Sequence, residues 1–465
     1  MVSGKGAQRT KRTALYQSVQ KCANAREVNG FRFQVDDAGR FYSNSSPKAD
    51  YGTVSIDHKL SNLAGAFLDE SRSFVPSELN YLILVPTLRC NLACSYCQVS
   101  RAAENAAGFD WSPETLADIQ SLLASLTAPS VKIEFQGGEP TLRADLLKAV
   151  IEAVPSNIDV SFVICTNLQQ LSDQTLELLD RSDVSVSTSL DGSLAVHAAQ
   201  RGSIESASRF FENLRYLIER YGAGKVSALP TIDPVNPPAP TELVDAFADF
   251  GLRSIYLRPI NYQGFARKQH RATREVGDSW SAYHREFIKF LIERNWQRDE
   301  VLEETYFTTI LERIFRPGTT RHVDLRNPSP VGRDYVVLDY DGSAYPTDEA
   351  RMLTRSGVID LSIGNLRDGW DTPQRAALER VATLDGDADC EACAYKPYCG
   401  RDIVDDLSRY GTIDIRRHET EFCRRHLALF DLAFELIHSG DEKVRYSLGK
   451  WLGLPGMMPP MMGAA

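Results

Sequence analysis

The chain lacks any long apolar run. Stretches such as Tyr81–Pro86 are far too short to cross a bilayer. It also lacks a positive surplus. Against 62 Asp and Glu stand 52 Lys and Arg, a net charge of −10 with pI near 5.4, which argues against a protein built to grip nucleic-acid backbone. Residues 1–26 are basic (Lys5, Arg9, Lys11, Arg12) without the apolar core of a signal peptide, and read as a frayed or partner-binding start. A cytoplasmic protein with no membrane and no nucleic-acid partner is expected. Cysteine is missing between 166 and 389; seven of the nine present gather as Cys90/Cys94/Cys97 and Cys390/Cys393/Cys399 with Cys423 downstream. Tight groups in a large chain without an export signal indicate metal ligation in a reducing compartment rather than a disulfide framework. Cys22 and Cys165 stand alone and read as ordinary small residues.

At 465 residues the chain exceeds the usual single-core size, so a large domain with extensions is expected. Short strand-like pieces, Phe31–Val35 and Thr53–Ile56, come first. From residue 81, apolar β-branched runs at 81–86, 131–135, 158–164, 184–190, 226–232 and 254–258 alternate with helix-period segments near 112–126, 141–153, 171–181, 203–221, 240–250 and 279–295. Capping residues such as Ser112-Pro113-Glu114 and Ser172-Asp173 open several of these helices. Six strand–helix units in series predict an α/β fold, a parallel sheet curled into a partial (β/α)6 barrel with ligands at the strands' carboxyl ends. Further on, Tyr335–Tyr340, the turn Asp341-Gly342-Ser343 and Ala344–Tyr345 read as a hairpin; 387–401 reads as loop and 419–437 as helix. The divisions expected are an N-terminal extension at 1–79, the barrel at 80–300, a cysteine-rich domain at 301–440 and a flexible tail at 441–465.

Thr87-Leu88-Arg89-Cys90-Asn91-Leu92-Ala93-Cys94-Ser95-Tyr96-Cys97 follows the first strand directly. Three thiolates within eight residues can wrap one iron–sulfur cube, and a cube has four irons, so one is left open as a reactive centre requires. A zinc or structural site is the alternative, weakened by the absence of a nearby His. The spacing C-x-x-x-C-x-(aromatic)-C, with Tyr96 as the aromatic, resembles the signature of the radical S-adenosylmethionine (SAM) superfamily. That resemblance implies a [4Fe-4S] cluster whose fourth iron is chelated by SAM.

Later strand ends extend the likeness. Gln136-Gly137-Gly138-Glu139-Pro140 resembles the superfamily's GGEP turn; its glycines allow close backbone approach and Glu139 offers a carboxylate to the SAM ammonium. Cys165-Thr166-Asn167 stands where members contact the SAM ribose. Ser187-Thr188-Ser189-Leu190-Asp191-Gly192 with His197 and Arg201 resembles the stretch that places Ser189 and Asp191 beside SAM and Arg201 near its carboxylate. His197 reads equally well as a helix-surface histidine. Arg258-Pro259 ends the sixth strand, suited to nucleoside or substrate.

In the second group, Cys390, Cys393, Cys399 and Cys423 supply four thiolates, and the bare spacing also suits tetrahedral zinc, with His418 and His426 flanking Cys423. Beside the first group, the segment resembles the SPASM extension of peptide maturases, with departures. Ile403 and Thr347 stand where the family has cysteines belonging to a further cluster. One auxiliary [4Fe-4S] cluster with four Cys ligands is therefore implied. Pro86 through Cys90, Cys97 through Arg101 and Tyr345-Pro346-Thr347-Asp348-Glu349-Ala350-Arg351 resemble the radical SAM maturase of the His-Xaa-Ser peptide system. This implies a ribosomally made precursor peptide as substrate, a reducing partner such as flavodoxin or ferredoxin, and a companion radical SAM maturase. Residues 1–79 read equally as a peptide-recognition module or a barrel-capping extension. Asp348 and Glu349 are candidates to take the substrate's proton, or plain surface charge at a hairpin end. A sulfatase-type formylglycine maturase and a non-catalytic Fe–S electron carrier are the alternatives.

Overall fold

The computed structural model describes residues 78–315 and 325–454, together with three short strands near the N-terminus. Those strands, β1 (Arg26–Val28), β2 (Phe31–Val35) and β3 (Phe41–Ser43), form an antiparallel sheet. Thr53–Ile56, expected as a strand, and the tail 456–465 lie outside the described residues.

The barrel strands fall where the apolar runs predict. They are β4 (Tyr81–Leu84), β7 (Ser130–Phe135), β8 (Asp159–Cys165), β9 (Val184–Ser189) and β10 (Val226–Leu229), after two-residue strands β5 (Arg89–Cys90) and β6 (Ala102–Ala103) in the cysteine loop. The fifth and sixth strands are broken. Pro230 separates β10 from β11 (Thr231–Ile232), and β12 (Ser254–Ile255) precedes β13 (Arg258–Pro259), with β11 and β13 paired in parallel. The helices between them begin as capped: the Ser112 and Ser172 side chains accept from the N–H groups of Thr115 and Thr175.

Alternation within each strand explains both core and cavity. Leu82, Leu84, Ile133, Phe135, Phe162, Ile164, Val184 and Val186 face the helices as one buried core. Each contributes on the order of 1.5–3 kcal/mol on full burial. The intervening residues face the barrel lumen, and on β7 to β9 several are polar: Glu134 beside Val163 in register, Cys165 beside Ser187. A parallel strand covered on both faces normally reads as continuously apolar. The polar alternate positions mark a lumen kept open for a ligand.

The main sheet runs β10-β9-β8-β7-β4-β15-β16-β17, with β14 (Glu303–Glu304) apart, paired to β12. β15 (Tyr335–Leu338) lies parallel to β4, and β16 (Ser343–Tyr345) and β17 (Gly364–Asn365) follow antiparallel. The expected hairpin thus forms, and it is an extension of the barrel sheet itself, which local pattern could not reveal. After it, helix Asp348–Arg355 is capped by Thr347, whose hydroxyl accepts from the Ala350 N–H.

One expected division is corrected. Residues from 441 do not begin as a flexible tail, because Glu442–Trp451 is a helix, with Leu448 and Trp451 buried and the Trp451 indole donating to the Leu302 carbonyl at 2.8 Å. The segment 387–401, expected as loop, holds a short helix at Ala388–Glu391 and a 3-10 turn at Lys396–Tyr398. No helix among the described residues is long and apolar enough to cross a membrane.

Candidate active site

The cysteine loop leaves β4 and is clamped at its start. Asp110 accepts from Thr87 Oγ1 at 2.6 Å and pairs with Arg89 and Arg143 at 2.8 and 2.9 Å. Burial pushes this carboxyl up, but the bonds from Arg89, Thr87 and Arg143 hold it below its ordinary range. The Gly-Gly turn after β7 presses on the same loop. Gly138 and Glu139 N–H groups donate to the Thr87 and Arg89 carbonyls at 3.0 and 2.7 Å. A Cβ on Gly138 would sit 2.2 Å from the Arg89 carbonyl oxygen, and one on Gly137, where φ is +144°, 2.2 Å from that of Thr87. Both positions therefore require glycine, and Pro140 opens the 3-10 turn that closes the motif.

Cys90, Cys94 and Cys97 line one cavity of about 250 Å³ with Tyr96, Gly137, Gly138, Glu139, Thr166, Asn167, Ser189, Arg201, Arg258 and Asp348. Cys90 Sγ accepts from Leu92 N–H at 3.4 Å and from Asn167 Nδ2 at 3.7 Å. Burial pushes the Cys90 thiol up to about 12 and raises that of Cys94, which neighbouring Arg201 partly offsets. Thiols so placed stay protonated until a metal displaces the proton. Arg258 Nε is buried without a hydrogen-bond partner. Three thiols and an unsatisfied donor around one cavity fit a cluster with a polar ligand on its open iron.

Two residues expected beside SAM, Asp191 and Glu139, are also engaged by the protein itself. Asp191 is behind the cavity wall, 1% exposed, and acts as a hub: Oδ2 accepts from Tyr96 OH and Arg201 Nε, both at 2.8 Å, and Oδ1 from Thr231 N–H at 2.9 Å. It ties the cysteine loop, the strand end, helix Leu194–Arg201 and β11 together. Glu139 reaches the cavity, but its carboxylate accepts from Thr141 N–H and hydroxyl and from Asn167 N–H, the last at 2.7 Å, bracing two strand ends. The polar spacing was legible; that these carboxylates hold neighbouring side chains and backbone depends on tertiary packing.

His197 is 2% exposed and stacked on Phe210 at 4.2 Å, so it is a core histidine and not a surface one. Burial, with Arg201 adding and Asp191 opposing, pushes its pKa down to about 3 from 6.5. The unfolded chain thus takes up a proton below pH 6.5 that the fold does not. Stability is full above pH 6.5 and declines as pH falls toward 3. His197→Gln should lose about 2 kcal/mol less than the parent between pH 7 and pH 5, read by urea melts at both values.

Sequence reasoning missed Glu134 and treated Cys165 as an ordinary residue. Both line the cavity, the thiol donating to Glu134 Oε1 at 3.3 Å, and Glu134 also accepts from Tyr81 OH and Lys132. Period-two polarity in β7 was the available signal. Of the acid pair, only Asp348 lines the cavity; Glu349 is half-buried elsewhere. Asp348 is joined to fully buried Arg351 by contacts of 2.9 and 2.7 Å, and burial, opposed by Arg351, raises its pKa.

Cys390, Cys393, Cys399 and Cys423 line a second cavity, of about 400 Å³. Among the described residues no three His, Cys, Asp or Glu side chains converge closely enough to bind a single metal ion. Burial pushes Cys399 up to about 12 and raises Cys390 as well.

Residues 84–247 match the family model of the Radical SAM superfamily, so the chain carries a radical SAM domain, which implies a [4Fe-4S] cluster and SAM. An uncharacterized protein of Methanocaldococcus jannaschii is 28% identical over 182 residues, 38% of this chain and 61% of its own length. The GTP 3′,8-cyclase of Campylobacter jejuni is 32% identical over 138 residues, 28% of this chain and 41% of its own. The chain thus spans less than two thirds of either relative. Among solved structures, anSMEcpe with bound AdoMet superposes with a TM-score of 0.62 at 17% identity, covering 77% of this chain and 97% of that one. A second structure of anSMEcpe holds AdoMet and the Cp18Cys peptide, with a TM-score of 0.61 at 17% identity over 77% of this chain and 98% of that one. At such identity the likeness is one of fold.

Proposed function

We propose that this protein modifies a ribosomally made peptide, using SAM bound at the Cys90/Cys94/Cys97 site, and that Asp348 accepts the proton the substrate loses. The observation that carries the reading is Asp348 itself, a buried carboxylate delivered from outside the barrel onto the cavity lined by the three thiols. The peptide seen with anSMEcpe, on the same fold, supports the substrate class.

A cluster held by Cys90, Cys94 and Cys97, with SAM on its open iron, would supply radical chemistry able to take hydrogen from an unactivated carbon. The chain's own residues prepare for it. Arg201 and Arg258 offer guanidinium groups to the SAM carboxylate and nucleoside, while the Asp191 hub fixes Arg201 in place. Tyr96, held by the same carboxylate, shapes the wall. Burial, opposed by Arg351, raises the Asp348 pKa and so makes its carboxylate a stronger base than an exposed aspartate, which suits it to accepting a proton. The four-cysteine site would hold an auxiliary [4Fe-4S] cluster, fully ligated and so suited to taking up an electron. Flavodoxin or ferredoxin would serve as reductant, and a companion radical SAM maturase is part of the same proposal.

Co-expression with the peptides encoded beside its gene, followed by mass measurement, tests this. A loss of two hydrogens from one peptide is the expected result. Steady release of 5′-deoxyadenosine with every neighbouring peptide unaltered would refute the assignment.

A further inference from the structure

Arg401 stands in the wall of the four-cysteine cavity, and among the described residues no carboxylate forms an ion pair with it. Gly400 places it: a Cβ there would lie 2.3 Å from the Leu325 carbonyl carbon, so only glycine lets the chain pass. Its Nη1 and Nη2 donate to the carbonyls of Thr383 and Ile413 at 3.3 and 3.2 Å, and its Nε is buried with no partner. Arg417, 5% exposed, lines the same cavity and shares the Ile413 carbonyl, donating to it at 3.1 Å. Arg417 pairs with buried Asp406, and its own Nε lacks a hydrogen-bond partner and lies 3.6 Å from Asp387. Two guanidinium groups therefore share the wall, and only one of them has a buried carboxylate in contact.

The Arg401 side chain is half-buried, with its Nε shut off from water and given no acceptor, which is costly, and the cavity it faces is lined by four thiols. A [4Fe-4S] cube bound by four thiolates carries two negative charges, and three after reduction, so cations and donors at its edge favour the reduced form. We infer that Arg401, backed by Arg417, is the counter-cation of the auxiliary cluster and raises its reduction potential. This rests on the auxiliary-cluster reading above. Arg401 also lines a small cavity of about 50 Å³ with Tyr335, Pro346 and Thr347, the residue before Asp348. It stands between the four-cysteine site and the segment that carries Asp348, so its charge lies on the side from which an electron would arrive. Lys396 lines the four-cysteine cavity too, but is already paired with Asp385 and Glu391, both at 2.8 Å, and is predicted to matter less.

Anaerobic redox titration of the full-length, reconstituted protein, followed by electron paramagnetic resonance, tests the inference. Arg401→Gln should lower the reduction equilibrium of the auxiliary cluster about tenfold, 59 mV for one electron, with iron content unchanged. Lys396→Gln should shift it much less. Arg401→His carries the test within one protein, its potential falling relative to wild type as pH rises through the imidazole range. Wild-type potentials in both Arg401 variants, or an equal shift in Lys396→Gln, would overturn the role of Arg401. Failure of the underlying cluster reading shows separately, as iron unaffected by Cys423→Ala.

Discussion

Cys94→Ala is expected to abolish conversion of SAM to 5′-deoxyadenosine and methionine and, with the auxiliary cluster proposed above in place, to lower iron from about eight to about four atoms per chain. The thiol of Cys94 lies half-buried in the cavity wall beside Arg201 and Tyr96. Its structural tie is through the backbone: the Cys94 carbonyl accepts from Cys97 N–H at 3.2 Å, which alanine retains. The loop is further pinned by Ser95 N–H to the Gln200 carbonyl and Phe265 N–H to that of Cys97. The variant should therefore melt within a few degrees of wild type while losing all SAM cleavage. Chromatographic detection of undiminished 5′-deoxyadenosine would remove the basis for the cluster site.

Asp348→Asn should separate the two halves of the reaction. Losing a positioned base costs about 10²–10⁴-fold in the step it serves. Peptide modification should fall by that factor, while SAM cleavage, which depends on the other wall of the cavity, continues. The amide remains within reach of Arg351, though without its charge, so a modest loss of stability accompanies the change. Glu349→Gln, off the cavity, should leave both steps near wild type. If Asp348→Asn modifies peptide at full rate, the proton goes elsewhere, and Glu134 becomes the next carboxylate to test.

The strand–helix series from residue 81 was legible because each run has its own local signal: β-branched alternation for strands, Ser caps for helices. The cysteine loop was legible from spacing alone. What escaped was long-range. Nothing near Tyr335 indicates that it will stack on Tyr81 at 4.8 Å, or that its strand will lengthen the barrel sheet. Asp191 illustrates the same limit within the site. Its type and position at a strand end were read correctly, yet its partners Tyr96, Arg201 and Thr231 come from three other elements, and together they bury the carboxylate behind the wall. The Met-Pro-Gly composition of the last residues coloured the reading of the whole tail, hiding the helix that Leu448 and Trp451 anchor.

The pairing of β15 with β4 also bears on how the chain is made. On the ribosome β4 emerges early, and its outer neighbour follows about 250 residues later, an interval of roughly 10–50 s at ordinary elongation rates. Through that interval the edge of Tyr81–Leu84 has no partner from this sheet, and the wall that Asp348 and Met352 give the cavity has not yet been synthesised. The nascent barrel is thus open on the side of its cysteine loop for most of translation. Closure arrives only with the segment that carries Asp348, so metal loading of the first three cysteines can precede completion of the site they serve.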